Sequence, residues 1–460
     1  MVAQITQSVN IVNHMRKNNI RVNVIGAGLA GCEVSNFLAN HGIKVDLYEK
    51  RPVASSPAHH TDLFGELVCS NSLKSRKLDN ACGLLKKEME ELGSLMIEAS
   101  KVSEVKGGDS LNVDREVFST YITKKIKENK NIEIHYEDVN DFKEGINIIC
   151  TGPLTSKPLL DKIQETVNDK IYGFFDASAP IVDKSTIDLS NAKYGSRYEN
   201  DNDDVYINLP FTKDQFDKFY NELINAKRAP LHDFDVNYFE GCLPIEVIAS
   251  RGYKTLLHGP LKPVGFDFET EPYAVCQLRK DDLIGNLYNI VGFQTNLTYQ
   301  EQKRVFSLIP GLENAKFVRY GLMHRNSYIY APKILNDFSM VKTKKDVYIA
   351  GQLSGVEGYV ESAASGLLIG YYCLANILCL DIKPLSFNTV LGSLIRYITH
   401  TGINNFSPMN ANFGIMFGAN SLKKEALVER SLKHIELFKK QFNEQNWKRI
   451  YWLFKTWFAI

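Results

Sequence analysis

The chain has 460 residues, 44% hydrophobic and 11% aromatic, enough to build a sizeable core over two or three domains. Lys and Arg number 54 against 53 Asp and Glu, a net charge of +1, which excludes an overall basic field; any RNA contact must come from a local patch. The 8 cysteines include no C-x-x-C pair and follow nothing resembling a signal peptide, and no apolar run reaches the ~18 residues of a membrane span, so reduced thiols in a cytoplasm are expected.

The first organised stretch is RVNVIGAGLAGCEVSNFLANHGIKVDLYEK, residues 21–50. It predicts a strand over Val22 to Ile25, a glycine turn, a helix ending near Gly42 and a second strand closing on Glu49. Within the turn Gly26, Ala27, Gly28, Leu29, Ala30 and Gly31, the glycines allow a tight bend and close approach to a pyrophosphate. The following helix offers free N–H groups to the same anion. Glu49 is placed to accept from a ribose hydroxyl; as an acid it argues against a 2′-phosphate and for FAD or NAD.

Two later stretches favour FAD. INIICTGPLTS (146–156) is a short apolar strand ending in Thr151-Gly152, and DVYIAGQLSGVEGYVESAASGLLIG (346–370) is a strand, a loop carrying Gly351 and Gly358, and a helix. The small residues Ala363, Ala364, Ser365 and Gly366 on that helix allow close approach of a flat ligand or of another backbone. YYCLANILCL further on suits a buried helix end.

FEGCLPIE (239–246) sets Cys242 between Glu240 and Glu246, with Gly241 and Pro244 beside it. A cysteine in apolar surroundings usually fills space, and nearby anions raise a thiol's pKa, so a reactive Cys242 would need positive charge from elsewhere. The run Lys74, Arg76, Lys77, Lys86, Lys87 either tracks an RNA backbone or is a solvated face. The tail NWKRIYWLFKTWFAI (446–460) interleaves aromatics with basic residues, a pattern that serves a docking helix, RNA stacking, a membrane surface or a subunit contact.

GAGLAG, PAHHTD (57–62), ELVCSNSL (66–73), VDREVFS (113–119), FEGCLPIE, LYNIVGFQT (287–295), MHRNS (323–327) and GVEGYVESAASGLL (355–368) resemble, in order and spacing, the folate- and FAD-dependent tRNA uridine-5-methyltransferase family. The resemblance covers roughly residues 21–435. It implies an α/β fold, a Rossmann-like FAD-binding domain interrupted by a smaller inserted α+β domain. The expected division is 1–20 as a poorly ordered extension, 21–165 and 285–435 as the FAD domain, 166–284 as the insertion and 436–460 as the tail.

The resemblance also implies methylation of carbon 5 of a uridine in tRNA, in the T-loop, or in 23S rRNA as in one branch of the family. The one-carbon unit would come from 5,10-methylenetetrahydrofolate and electrons from NADPH or NADH through FAD. Two family cysteines match Cys69 and Cys242. Cys242 is assigned as the nucleophile that adds to carbon 6 and Cys69 as its partner in flavin or proton handling; no metal is implied. His59, His60, Asp62, His324, Arg325 and Asn326 either frame folate or flavin or cap structure, and Arg319 could receive a carboxylate or phosphate. Leu209 departs from the family, where cysteine is frequent.

Overall fold

The computed structural model describes residues 20–458 apart from 57, 106–107, 198–204, 231–237, 239–241, 401 and 403–405, with side chains to residue 445. The expected extension at 1–20 lies almost wholly outside the described residues, as do the side chains of the aromatic tail, whose backbone continues the helix Lys424–Phe458.

Five parallel strands form the first sheet, in the order Val347–Ile349, Ile146–Ile149, Arg21–Ile25, Lys44–Glu49 and Ile132–Tyr136. Only Arg21 is exposed in the central strand, as expected of a strand covered on both faces. The glycine turn closes because Gly26 adopts φ +104° and its N–H donates to Tyr48 O (2.8 Å). Gly31 sits so close beneath it that a Cβ would lie 1.8 Å from Gly26 O. Helix Leu29–Asn40 packs on helix Tyr359–Ile377 with Gly366 at the crossing, where a Cβ would stand 2.3 Å from Ala30 O. The small residues of the later helix thus serve another backbone. YYCLANILCL supplies the buried end of that helix, and no described helix is long and apolar enough to cross a membrane.

A second, antiparallel sheet runs Lys193–Tyr194, Tyr206–Phe211, Ala274–Lys280, Leu287–Ile290, Ile181–Asp183 and Phe317–Arg319. Its separate core includes Phe211, Phe216, Phe219, Phe293 and Phe306, with Leu209 buried among them. This unit extends past the expected boundary at 284: Leu287–Ile290, helix Tyr299–Phe306 and Phe317–Arg319 all belong to it. LYNI is an apolar run that reads equally well as a parallel strand, so its sequence did not reveal that it pairs back onto Ala274–Lys280.

The chain enters and leaves the second unit through one ladder. Tyr172–Ala177 pairs antiparallel with Met323–Tyr328, placing Asp176 opposite His324.

Candidate active site

Along the first sheet runs a partly open cleft with a cavity of about 150 Å³. Gly26, Gly28, Leu29 and Ala30 line it from the turn, with Glu49 beside them; Thr151, Gly152 and Gly351 line it from the later strand ends. A Cβ at Gly28 would meet nothing nearer than Cys150 O at 4.0 Å, and one at Gly152 nothing within 4 Å, so both glycines face open space into which a ligand backbone fits. Glu49 accepts from Ala27 N–H (3.0 Å) and from Arg51 Nε (2.9 Å). Burial opposes its charge, but the Arg51 hydrogen bond and guanidinium outweigh it and hold the carboxyl below its usual range. These groups fit a dinucleotide.

Three expected cofactor residues do not line the cleft. Ala27 supports Glu49, Gly31 backs the turn, and Gly358 takes φ +117° ahead of helix Tyr359–Ile377, against the Glu361 carboxylate.

Tyr359 also lines the cleft, and against it lies Cys69. The Tyr359 oxygen accepts from the N–H groups of Cys69 (2.7 Å) and Ser70 (3.3 Å) and lies 2.9 Å from Cys69 Sγ. With its lone pairs so occupied, the phenol hydrogen points at the sulfur. Cys242 comes from the other unit, two residues before Pro244, which caps the short helix Ile245–Ser250. Its thiol donates to the Asp176 carboxylate. Both cysteines are half-buried.

Burial, then Asp176, push the Cys69 thiol up to about 12, while Tyr359 and Arg115 pull it back. Cys242 is driven up further by burial, Asp176, Cys69 and Glu357. Glu357 itself is raised to about 8 by burial and by Asp176. Among the described residues, the acids acting on Cys242 are Asp176 and Glu357, both remote in sequence. Glu240 and Gly241 lie outside the described residues, and Glu246 is committed to Thr295 Oγ1 (2.9 Å) and Asn296 N–H (2.7 Å).

The Cys69 loop is gripped from the second unit. Arg279 donates to Ser70 Oγ (2.8 Å) and Asn71 Oδ1 (3.1 Å), Asn71 donates to Lys280 O (3.0 Å), and Arg115 pairs with Asp281 (3.0 Å). These contacts, with Asp176, Tyr359 and Glu357, were not singled out from sequence. The one available signal was an acid inside the apolar run YGFFDA.

Among the other candidates, His59 lines the cleft, bonds Ser56 (2.6 Å) and is lowered to about 4 by burial and Arg51. Asp62 is exposed. His60, Arg319 and His324 line a second cavity, and Arg325 lies across Gly173 of the paired strand. In the basic run Lys74 pairs with Glu361, Arg76 with Glu104, Lys77 with Asp109 and Lys87 with Glu90, while buried Lys86 donates to Leu73 O. Asp46, Glu133 and His135 form the one potential metal-ligand group among the described residues, and Arg21 already donates to both of its carboxylates.

A glycine-turn parallel sheet with an open dinucleotide cleft and an inserted antiparallel unit defines the class: a Rossmann-type, GidA-like fold. The chain is similar to Aquifex aeolicus GidA, with a TM-score of 0.68 at 17% identity over 95% of this chain and 76% of that one. The family model described as Glucose inhibited division protein A matches residues 21–379. Within that class, the chain is 51% identical over 399 residues to the methylenetetrahydrofolate–tRNA-(uracil-5-)-methyltransferase TrmFO of Ligilactobacillus salivarius, covering 86% of this chain and 91% of that protein. It is 49% identical to that of Listeria monocytogenes (90% and 98% covered) and 52% to that of Enterococcus faecalis (86% and 92%). The chain belongs to the TrmFO family.

Proposed function

We propose that this chain is a cytoplasmic RNA methyltransferase that forms 5-methyluridine in tRNA, in the T-loop, using 5,10-methylenetetrahydrofolate, FAD and NADPH or NADH. The observation that carries the proposal is that two thiols from different units, Cys69 and Cys242, act on one another, the first of them held by Tyr359, which lines the dinucleotide cleft. A plain FAD-dependent oxidoreductase would account for the glycine turn and Thr151-Gly152 but would leave the ELVCSNS and FEGCLPIE stretches without work.

FAD would be held by the Gly26–Ala30 turn, Glu49, Thr151, Gly152 and Gly351, and when bound it supplies the redox capacity that turns a one-carbon unit into a methyl group. Carbon 5 of uracil is a poor nucleophile. Addition of Cys242 to carbon 6 makes it an enolate carbon able to attack an activated methylene, which is covalent catalysis. Cys69, held by Tyr359, is its partner beside the cofactor. The half-buried setting of both sulfurs keeps bulk water from competing.

The test is mass mapping of 5-methyluridine in tRNA and 23S rRNA from a deletion strain. Loss from tRNA alone is expected; loss from 23S rRNA alone would move the substrate to the ribosome, and no loss from either would overturn the reading.

A further inference from the structure

Among the described residues, the groups acting most on Cys242 are acids and a thiol rather than a cation, yet its own thiol is not isolated. Tyr238, four residues earlier, bridges in parallel to Phe175, which brings this segment alongside the strand Tyr172–Ala177. The next residue of that strand, Asp176, receives the Cys242 thiol hydrogen.

Asp176 is 6% exposed, and its surroundings are unusual for a structural carboxylate. It accepts from Ala177 N–H (2.8 Å) and, at 3.5 Å, from Asn326 Nδ2. His324 Nε2 stands 3.9 Å from Oδ2, and no arginine or lysine pairs with it among the described residues. The other titratable groups facing it are Cys69 and Glu357. His324 Nδ1, on the far side of the ring, is buried without a partner, and His324 lines the second cavity with His60 and Arg319. Asp176 thus links Cys242 with His324, which lines the second cavity.

Resting on the reading of Cys242 as nucleophile, we propose that Asp176 is the general base for Cys242 and that His324 is the positioning residue that carries the proton on toward the second cavity. In the step, the Cys242 S–H proton goes to Asp176 Oδ2, the S–C6 bond forms, and the C5–C6 π pair moves to the C4 oxygen as an enolate. Charge is conserved: one carboxylate is neutralised as one enolate appears. Burial raises the Asp176 carboxyl above its usual range, which makes it a stronger base than a solvated aspartate.

The test compares Asp176→Asn with the wild-type holoenzyme in two assays. The first measures the rate of covalent complex formation with a tRNA carrying 5-fluorouridine, in the presence of methylenetetrahydrofolate and NADPH. Without its base the variant should slow roughly 100-fold or more. The second measures iodoacetamide alkylation of Cys242 alone, by peptide mass spectrometry without RNA. Removing the anion that disfavours the thiolate should make alkylation faster. Opposite movement of the two rates is the expected signature, since a merely misplaced Cys242 would slow both. A complex formed at the wild-type rate, or both rates falling together, overturns the proposal. If the wild type itself forms no complex, the functional reading fails and the alkylation arm decides alone: faster alkylation supports the Asp176–Cys242 pairing and an unchanged rate overturns it. His324→Gln should slow the complex less than Asp176→Asn and shift its pH profile; an unshifted profile removes the relay.

Discussion

Replacing Tyr359 by Phe removes one oxygen that makes three contacts: it accepts two backbone N–H groups and donates to Cys69 Sγ. A hydrogen bond to a charged group is worth about 1.5–3 kcal/mol, so losing the donor should cut the Cys69 thiolate fraction roughly 10- to 100-fold at fixed pH. The thiol already sits near 12, so the fall is read in its alkylation rate against pH, by peptide mass spectrometry on the flavin-loaded protein. The two stranded N–H groups add about 2–6 kcal/mol of destabilisation, at about 1–3 kcal/mol each. For 460 residues the unfolding entropy is about 1 kcal/mol/K, so Tm should drop by about 2–6 °C. Cys242 bonds Asp176 rather than Tyr359, so its alkylation should change far less. An unchanged or faster Cys69 rate would refute the orientation assigned to the phenol hydrogen.

Gly28→Val should yield protein without flavin after desalting, because the added side chain projects into the open cleft; full visible flavin absorbance would contradict the placement. Gly366→Val drives a side chain into the Ala30 backbone and should cost about 1–3 kcal/mol or more, seen as a lowered Tm and weaker flavin retention; wild-type values for both would rule out that crossing. Glu33 is buried and held near 7 by that burial, against its bonds from Ser94, Met96 and Leu95. The folded chain therefore keeps a proton that the unfolded chain releases near ~4.3. The associated stability is complete below that value and is lost as pH rises through about 7, a change of about 3 kcal/mol. Glu33→Gln removes this dependence, so the Tm gap between variant and wild type should widen in the variant's favour from about pH 5 to about pH 8; a constant gap would disprove the assignment.

The glycine turn was legible because strand, turn, helix and terminal acid are contiguous, and local sterics at Gly26 and Gly31 leave little alternative. Cys69 and Cys242 were legible as motif positions and, through the resemblance, as partners, although the ladder that brings their segments near was not. The pairing depends on a ladder joining residues 172–177 to 323–328, about 150 positions apart, and no local pattern encodes that register. Asp176 was missed for the same reason: in sequence it is one acid in an apolar strand, and its importance comes only from what lies opposite. The basic run was read as a surface possibility because charge partners such as Glu104, Asp109 and Glu361 are remote in the chain. The boundary at 284 failed because short apolar strands carry no mark of the sheet they join.

The grip of Arg279 and Lys280 on Ser70 and Asn71 bears on how such a protein can be recombined. The loop bearing Cys69 belongs to the first unit, and the strand fastening it belongs to the second. A chimera that takes residues 21–165 from one relative and the antiparallel unit from another would inherit both thiols, yet it would position the first only if the Ser70–Asn71 and Arg279–Asp281 sides matched. The two halves of this chain are therefore free to drift at their outer surfaces, and are bound to change in step along this seam.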